Sequence, residues 1–258
     1  MTSSTKASYG DRIKRSAKKN NSRIILALDM SVDQQHNPKV IIKIVDQFSS
    51  YICAVKINFH LLLSYSPQEV RCFNELVHSH NLQSIADIKL NDIPNTNSVA
   101  LERLQSCGFD CLIANPIMGK NSLTSLVDYA HALNMGVLSV VYMSSPYSKQ
   151  TYGLKVMQNS DNVKAKVSSL YDIFLKYSMD SNVDGIIVGA NRIPIIKSIS
   201  ERSFLPIYSP GIGVQGGVIE KAMEYGSKYV FVGRSVLNSS NPRALLKILK
   251  ETSNKYSL

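Results

Sequence analysis

The chain has 258 residues, of which 44% are hydrophobic, a composition typical of a folded globular protein and not of a disordered one. No stretch is apolar for long enough to cross a bilayer, and the start lacks the apolar run of a secretory signal, so we expect a cytoplasmic protein with no membrane partner. The formal net charge of +10 favours anionic partners. Tryptophan is absent and no basic run is interleaved with aromatic residues, so nucleic acid is not the expected partner.

The first predicted element is a helix over residues 9–19, with Tyr9, Ile13 and Ala17 spaced four apart on one side. It belongs to a basic leading segment, residues 1–22, that we expect to cap the bottom of the domain. The positive outer face of this helix is interpreted as a solvated face.

From residue 24 onward, short apolar segments alternate with amphipathic ones. Strands are predicted at residues 24–29, 52–57, 83–89, 109–115, 136–143, 183–189, 206–209 and 229–233. The helices that follow them are predicted at residues 38–49, 67–80, 94–106, 122–134, 162–177, 193–201, 217–225 and 242–252. Eight strand–helix units are typical of a closed α/β barrel, the (β/α)₈ TIM barrel, with residues 1–258 as a single domain. An open doubly wound sheet is the alternative, but no G-x-G-x-x-G turn follows the first strand.

Charged residues cluster at the end of the third strand. Alternation places Asp87 and Lys89 on the inward face, and Asp92 follows in the turn before Pro94, which is well placed to open a helix. A structural ion pair would explain an isolated Asp-x-Lys sequence. A second carboxylate favours chemistry instead, because one lysine cannot neutralise two acids.

Two neighbouring strands carry further inward charges, Asp29 at the end of the first and Lys56 on the second. The interior of a barrel is normally filled by branched apolar side chains. Charges converging from three adjacent strands therefore indicate a site rather than packing.

The opposite rim is predicted to bind phosphate. Residues 209–217, which include Gln215, are rich in glycine, and Gly233 and Arg234 follow the eighth strand. Glycines let backbone N–H groups approach an anion, and an arginine adds a bidentate contact. One glycine-rich turn is usually only a turn, but two at the seventh and eighth strands favour a phosphate site.

The loop after the fifth strand, residues 144–161, is too long for a simple connection and is a candidate lid. A floppy insertion is the alternative, against which the apolar Tyr152, Leu154 and Met157 argue.

No metal site is assigned: the histidines stand apart from these clusters, and the cysteines suggest buried thiols in a reducing compartment. The histidines are His36, His60, His78, His80 and His131, and the cysteines are Cys53, Cys72, Cys107 and Cys111.

The stretch Asp87-x-Lys89-x-x-Asp92-Ile93-Pro94-x-Thr96 resembles the signature of the orotidine 5′-monophosphate decarboxylase family. The resemblance extends over nearly the whole chain. It includes, in the order of the family, LALD ending in Asp29, VKI around Lys56, MSSP with Ser144, SPGIGVQGG with Gln215 and VGRSV with Arg234. One departure is Ser145-Pro146-Tyr147 where relatives often have His-Pro-Gly, which leaves the lid conformation open.

The resemblance implies conversion of orotidine 5′-monophosphate to UMP and CO₂ in de novo pyrimidine biosynthesis, without metal or cofactor. Lys89, Asp87, Asp92 and Lys56 would be catalytic, with Lys89 as the proton donor. Asp29 and Lys56 would hold the ribose, Ser144 the pyrimidine, and Gln215, Gly233 and Arg234 the phosphate. Asp92 and Thr96 would be donated across the interface of a homodimer.

Two rival functions stay open. Sibling barrels that act on phosphosugars share the Asp-x-Lys-x-x-Asp motif but hold Mg²⁺ through an added acidic ligand, where this chain has Lys56. A non-catalytic protein that binds nucleic acid or membrane through the basic leading helix is the other rival. Sensitivity to EDTA would favour the first, and salt-sensitive polyanion or vesicle binding without decarboxylation the second.

Overall fold

The computed structural model describes residues 7–30, 38–160 and 163–256. Eight parallel strands close into a barrel, and each is followed by at least one helix. In chain order the strands are β1 (Ile24–Ala27), β2 (Ala54–Asn58), β3 (Gln83–Leu90), β4 (Cys111–Ala114), β5 (Gly136–Tyr142), β8 (Gly185–Val188), β9 (Ile207–Ser209) and β10 (Ser227–Val232). The predicted (β/α)₈ barrel is therefore confirmed; the assignment of residues 1–258 to one domain stays a prediction.

The helices pack outside the barrel with their apolar faces inward. They are α1 (Tyr9–Asn20), α2 (Pro38–Phe48), α3 (Phe59–Leu62), α4 (Pro67–Ser79), α5 (Pro94–Ser106), α6 (Lys120–Ala132), α7 (Leu170–Asp180), α8 (Ile193–Ser200), α9 (Ile219–Glu224), α10 (Arg234–Leu237) and α11 (Pro242–Lys255). Proline at the first helical position opens several of them, α5 included, because its missing N–H has no partner there anyway. None of the helices in the described ranges has the length and apolarity needed to span a bilayer.

The leading helix α1 lies against the amino-terminal ends of the strands. Ser16 Oγ donates to the carbonyl of Cys53, 2.6 Å away, and Arg12 Nη2 donates to the carbonyl of Asn134 at 2.9 Å. Tyr9 is buried against Gly136, where a Cβ would lie 2.4 Å from the tyrosine ring. Glycine at position 136 thus lets α1 approach this end of the barrel closely.

One predicted element is wrong in its first half. An antiparallel hairpin, β6 (Lys155–Ser160) and β7 (Val163–Ser169), occupies the start of the helix expected at residues 162–177, and α7 begins only at Leu170. Residues 161 and 162 lie outside the described residues. The sequence of β7 alternates apolar and polar residues, with Val163, Ala165 and Val167 two apart, which is the period of a strand rather than of a helix.

Two equivalent histidine–aspartate pairs fasten helices to the strand beginnings. His78 Nε2 lies 2.8 Å from Asp110 Oδ2, which also accepts from the Ser84 amide; His131 Nε2 lies 2.9 Å from Asp184 Oδ2, which accepts from the Val137 amide. The hydrogen bond to Asp110 raises the pKa of His78, and the bond to Asp184 raises the pKa of His131.

We expect the double variant His78→Gln, His131→Gln to be less stable than the native chain at low pH. A histidine whose pKa is higher in the folded state than in the unfolded state stabilises the folded state. This stabilisation is complete at pH values below the pKa of the unfolded state and disappears as the pH rises through the pKa of the folded state. Since both histidines are partly exposed, each pair should contribute no more than about 1 kcal/mol. Urea unfolding should give a smaller difference in the free energy of unfolding between the native chain and the double variant at about pH 8.5 than at about pH 5.5. The variant His60→Gln, at an exposed histidine, is the control. A difference in the free energy of unfolding that does not depend on pH would contradict a stabilising role for the two protonated histidines.

Candidate active site

The centre of the site is Asp87, which is buried near the carboxyl end of β3. Its Oδ2 accepts from Lys56 Nζ and its Oδ1 from Lys89 Nζ, both at 2.7 Å. Burial alone raises the pKa of Asp87, but the Lys56 and Lys89 ammonium groups outweigh burial and hold that pKa below its usual value. One carboxylate therefore holds two lysine ammonium groups in place.

The end of β3 is irregular where it carries these groups. Between Ala86 and Leu90 the strand advances four residues while its partner β4 advances from Leu112 to Ala114. Lys89 adopts a left-handed backbone with φ of 47°, which is unusual for a residue other than glycine. Simple alternation thus fails at this point, but the predicted meeting of Asp87 with Lys89 is observed.

A side chain that sequence reasoning missed, Asn58, joins the array. Its amide nitrogen donates to Asp29 Oδ1 and its amide oxygen accepts from Lys56 Nζ, while Lys56 Nζ lies 3.6 Å from Asp29 Oδ1. Asn58 stands two residues after Lys56 on β2, so alternation could have placed it on the same face. It links the acid of the first strand to the lysine of the second.

The glycine-rich loops close a small cavity of about 90 Å³ beside this array. Its polar lining comprises Asp29, Lys56, Gln215, Arg234 and Ser235. The sequence predicted that the phosphate site lies on the rim opposite the charged residues, and this was wrong. The loops after β9 and β10 lie at the same carboxyl-terminal mouth as Asp29 and Lys56. In a parallel barrel the carboxyl ends of all strands meet at one end.

Gly233 lies so close to Asp29 that a Cβ at position 233 would be 2.8 Å from Asp29 Oδ2. A residue with a side chain would therefore displace this carboxylate. Ser235 Oγ is buried without a hydrogen-bond partner among the described residues. A hydroxyl left unpaired beside an exposed arginine is suited to a bound anion, because burying it unpaired is otherwise unfavourable.

Ser144 is buried at the edge of the mouth, just after β5. Its carbonyl accepts from Asn191 Nδ2 at 2.9 Å, and the same nitrogen donates to the carbonyl of Gln215 at 3.1 Å. Asn191, which the sequence reasoning did not single out, therefore fixes the loop after β5 to the glycine-rich loop after β9.

The long loop after β5 is packed rather than floppy over its first part. Tyr152 is buried, with its ring 5.6 Å from that of Tyr142. Arg192 Nη2 donates to the Ser145 carbonyl at 2.8 Å and to Ser148 Oγ at 3.0 Å. Further along, Leu154 and Met157 are exposed.

Asp92 and Thr96 make no ion pair or side-chain hydrogen bond with the array around Asp87 in the described part of this chain. Both are exposed at the start of α5. Asp92 Oδ1 accepts from the Ile93 amide at 2.7 Å, and no ion pair joins Asp92 to a lysine of the described residues. Their exposure leaves them accessible to another chain.

None of the described histidines takes part in the array around Asp87. His78, His80 and His131 pair with aspartates elsewhere, and His36 lies outside the described residues. Within residues 7–30, 38–160 and 163–256, histidine, cysteine and acidic side chains do not gather in groups of three that could hold a metal ion.

A parallel barrel with a Lys–Asp–Lys array beside a cavity lined by glycines and Arg234 at its carboxyl end is typical of a (β/α)₈-barrel enzyme. The chain belongs to the orotidine 5′-phosphate decarboxylase / HUMPS family, whose model matches residues 22–248. The family resemblance and the carboxy-lyase class predicted from the sequence are thereby confirmed.

Individual relatives agree. The orotidine 5′-phosphate decarboxylase of Thermoplasma volcanium is 34% identical over 233 residues, covering 90% of this chain and 94% of that protein. The enzyme of the same name from Pyrococcus abyssi is 31% identical over 222 residues, covering 85% and 93%. The crystal structure of orotidine 5′-monophosphate decarboxylase from Methanocaldococcus jannaschii, complexed with the inhibitor BMP, superposes with a TM-score of 0.75 at 30% identity, covering 90% and 99%.

Proposed function

We propose that the protein decarboxylates orotidine 5′-monophosphate to UMP and CO₂, as a cytoplasmic enzyme of de novo pyrimidine biosynthesis. The observation that carries this proposal is Asp87 bridging Lys56 and Lys89 at 2.7 Å each, next to the cavity that contains Arg234. The direct test is to follow the loss of orotidine 5′-monophosphate absorbance with the purified chain. No turnover would reject the proposal.

In the proposed reaction the bond between C6 and the carboxylate breaks, and its electron pair stays on C6. Lys89 stabilises this developing charge and then transfers its Nζ proton to C6, giving UMP. Asp87 keeps Lys89 protonated and aimed, since the carboxylate lies 2.7 Å from that nitrogen. Repulsion between Asp87 and the substrate carboxylate would also be relieved as CO₂ departs.

Other residues would bind the remote parts of the nucleotide. Asp29 and Lys56, which are joined through Asn58, would bind the ribose hydroxyls, and Ser144 would contact the pyrimidine. Gln215, Gly233 and Arg234 would bind the phosphate. Because the cavity of about 90 Å³ has room for a phosphate group rather than a whole nucleotide, the loops around it would move to admit substrate.

Arg234→Ala is expected to raise KM by about 10- to 100-fold with a smaller change in kcat, because a charge-assisted contact to phosphate is lost. Steady-state kinetics checks this. Arg243→Ala, which removes an exposed arginine from α11 outside the mouth, is the matched control and should leave KM unchanged. An unchanged KM in Arg234→Ala would place the phosphate elsewhere.

Chelation separates this activity from that of the metal-dependent phosphosugar siblings. Both oxygens of Asp87 are hydrogen-bonded to ammonium groups, so this carboxylate is poorly suited to ligate Mg²⁺. We expect full orotidine 5′-monophosphate decarboxylation after dialysis against EDTA. Activity that disappears on chelation and returns with Mg²⁺ would favour the sibling reaction instead.

A further inference from the structure

A cavity of about 700 Å³, far larger than the one at the mouth, lies at the opposite end of the barrel. It opens between α1 and the starts of β1, β8, β9 and β10, and we call it the lower cavity. Its volume is within the range of pockets that hold small organic ligands. Nothing in the proposed decarboxylation uses it.

Three cations line the lower cavity: Lys14 on α1, Arg23 before β1 and Lys228 on β10. Within the described part of the chain, none of them lies within 4.0 Å of a carboxylate oxygen. The carboxylate in the lining, Asp184, is already engaged by His131 and the Val137 amide. The lower cavity therefore has unneutralised positive charge, which favours an anion.

Apart from Asp184 and two serines, Ser200 and Ser203, the rest of the lining is glycine, apolar or aromatic. Phe204 is 97% exposed and lines the lower cavity together with Leu205 and Ile207. Tyr208, also in the lining, is fully buried, and its hydroxyl has no hydrogen-bond partner in the described structure. The lower cavity therefore combines three cations with apolar and aromatic surface.

We propose that the lower cavity is a second binding site, which takes a nucleotide-sized organic anion with an apolar ring. The anionic group contacts Lys14, Arg23 and Lys228, and the ring covers Phe204. Lys14, Arg23 and Lys228 contribute to the net charge of +10 and lie at the end of the barrel opposite the mouth. It is independent of the decarboxylase activity.

The test uses 8-anilinonaphthalene-1-sulfonate, an aromatic anion whose fluorescence rises on transfer to an apolar site. Titration should show one saturable site. Arg23→Ala and Lys228→Ala should each weaken it by roughly tenfold, because a charge-assisted contact is lost. Phe204→Ala should weaken it several-fold. Lys228 and Phe204 are exposed, so these two variants should fold even if Arg23→Ala does not.

Two controls locate the dye. Arg243→Ala changes an exposed arginine beside a shallower pocket on the outer helices and should bind it as the native chain does. Arg234→Ala at the mouth should also leave the dissociation constant unchanged. Binding that is lost in Arg234→Ala but kept in Lys228→Ala and Phe204→Ala would overturn the proposal, as would the absence of saturable binding.

Discussion

Lys89→Ala is expected to abolish decarboxylation, with kcat falling by at least about 10³-fold, since it would remove both the proposed proton donor and the charge proposed to stabilise the carbanion. The fold should persist. Lys89 is 39% exposed, and Asp87 keeps its hydrogen bond to Lys56, so no buried carboxylate is left unpaired. Single-turnover kinetics of the purified variant measures the loss. Turnover within tenfold of the native rate would refute the role of Lys89.

Lys89→Arg separates charge from proton transfer. A guanidinium keeps the positive charge beside Asp87 but does not release a proton at neutral pH. The product UMP should therefore bind to this variant, while turnover stays as low as in Lys89→Ala. If the arginine variant decarboxylates efficiently, electrostatic stabilisation alone is sufficient and proton donation by Lys89 is not required.

The barrel could be predicted because its signal is repeated. Eight apolar segments of similar length alternate with amphipathic ones, so an error in one unit does not change the architecture. The error at residues 162–177, where a hairpin precedes α7, is of this kind and leaves the barrel unchanged. A single long insertion has no repeated neighbours to constrain it, and its polar alternation was taken for a delayed helix.

The charged array could be predicted for a similar reason. Asp87 and Lys56 are charges on strands that are otherwise apolar, and a charge there is conspicuous. Asn58 was missed because an uncharged amide at a strand end is common in loops and turns. Its importance lies in pairing with both Asp29 and Lys56, and such pairing is visible only when β1 and β2 are in register.

Asn191 was missed for a different physical reason. It binds through its side-chain nitrogen to two backbone carbonyls, of Ser144 and Gln215. Backbone acceptors have no sequence signature, so neither partner could be found from residue types. Contacts of this kind join loops that are distant in sequence, and they depend on the closed barrel.

The last prediction concerns Asp92, which is exposed and makes no ion pair with Lys89 within one described chain. If the protein is a homodimer with composite sites, each site combines Lys89 of one chain with Asp92 of the other. Dimers of a Lys89→Ala chain with an Asp92→Ala chain, isolated through two different tags, then contain one intact site. They should have about half the activity of the native dimer, although each variant alone is inactive.

A reciprocal dimer is the matched control. When a chain carrying both Lys89→Ala and Asp92→Ala is paired with a native chain, composite sites leave neither site intact, because each lacks one of the two residues. Sites formed within one chain give the reverse pattern: the control dimer keeps the native chain's site and the split pair has none. Activity in the control dimer and none in the split pair would therefore show that Asp92 acts in its own chain, although it makes no ion pair with Lys89 there.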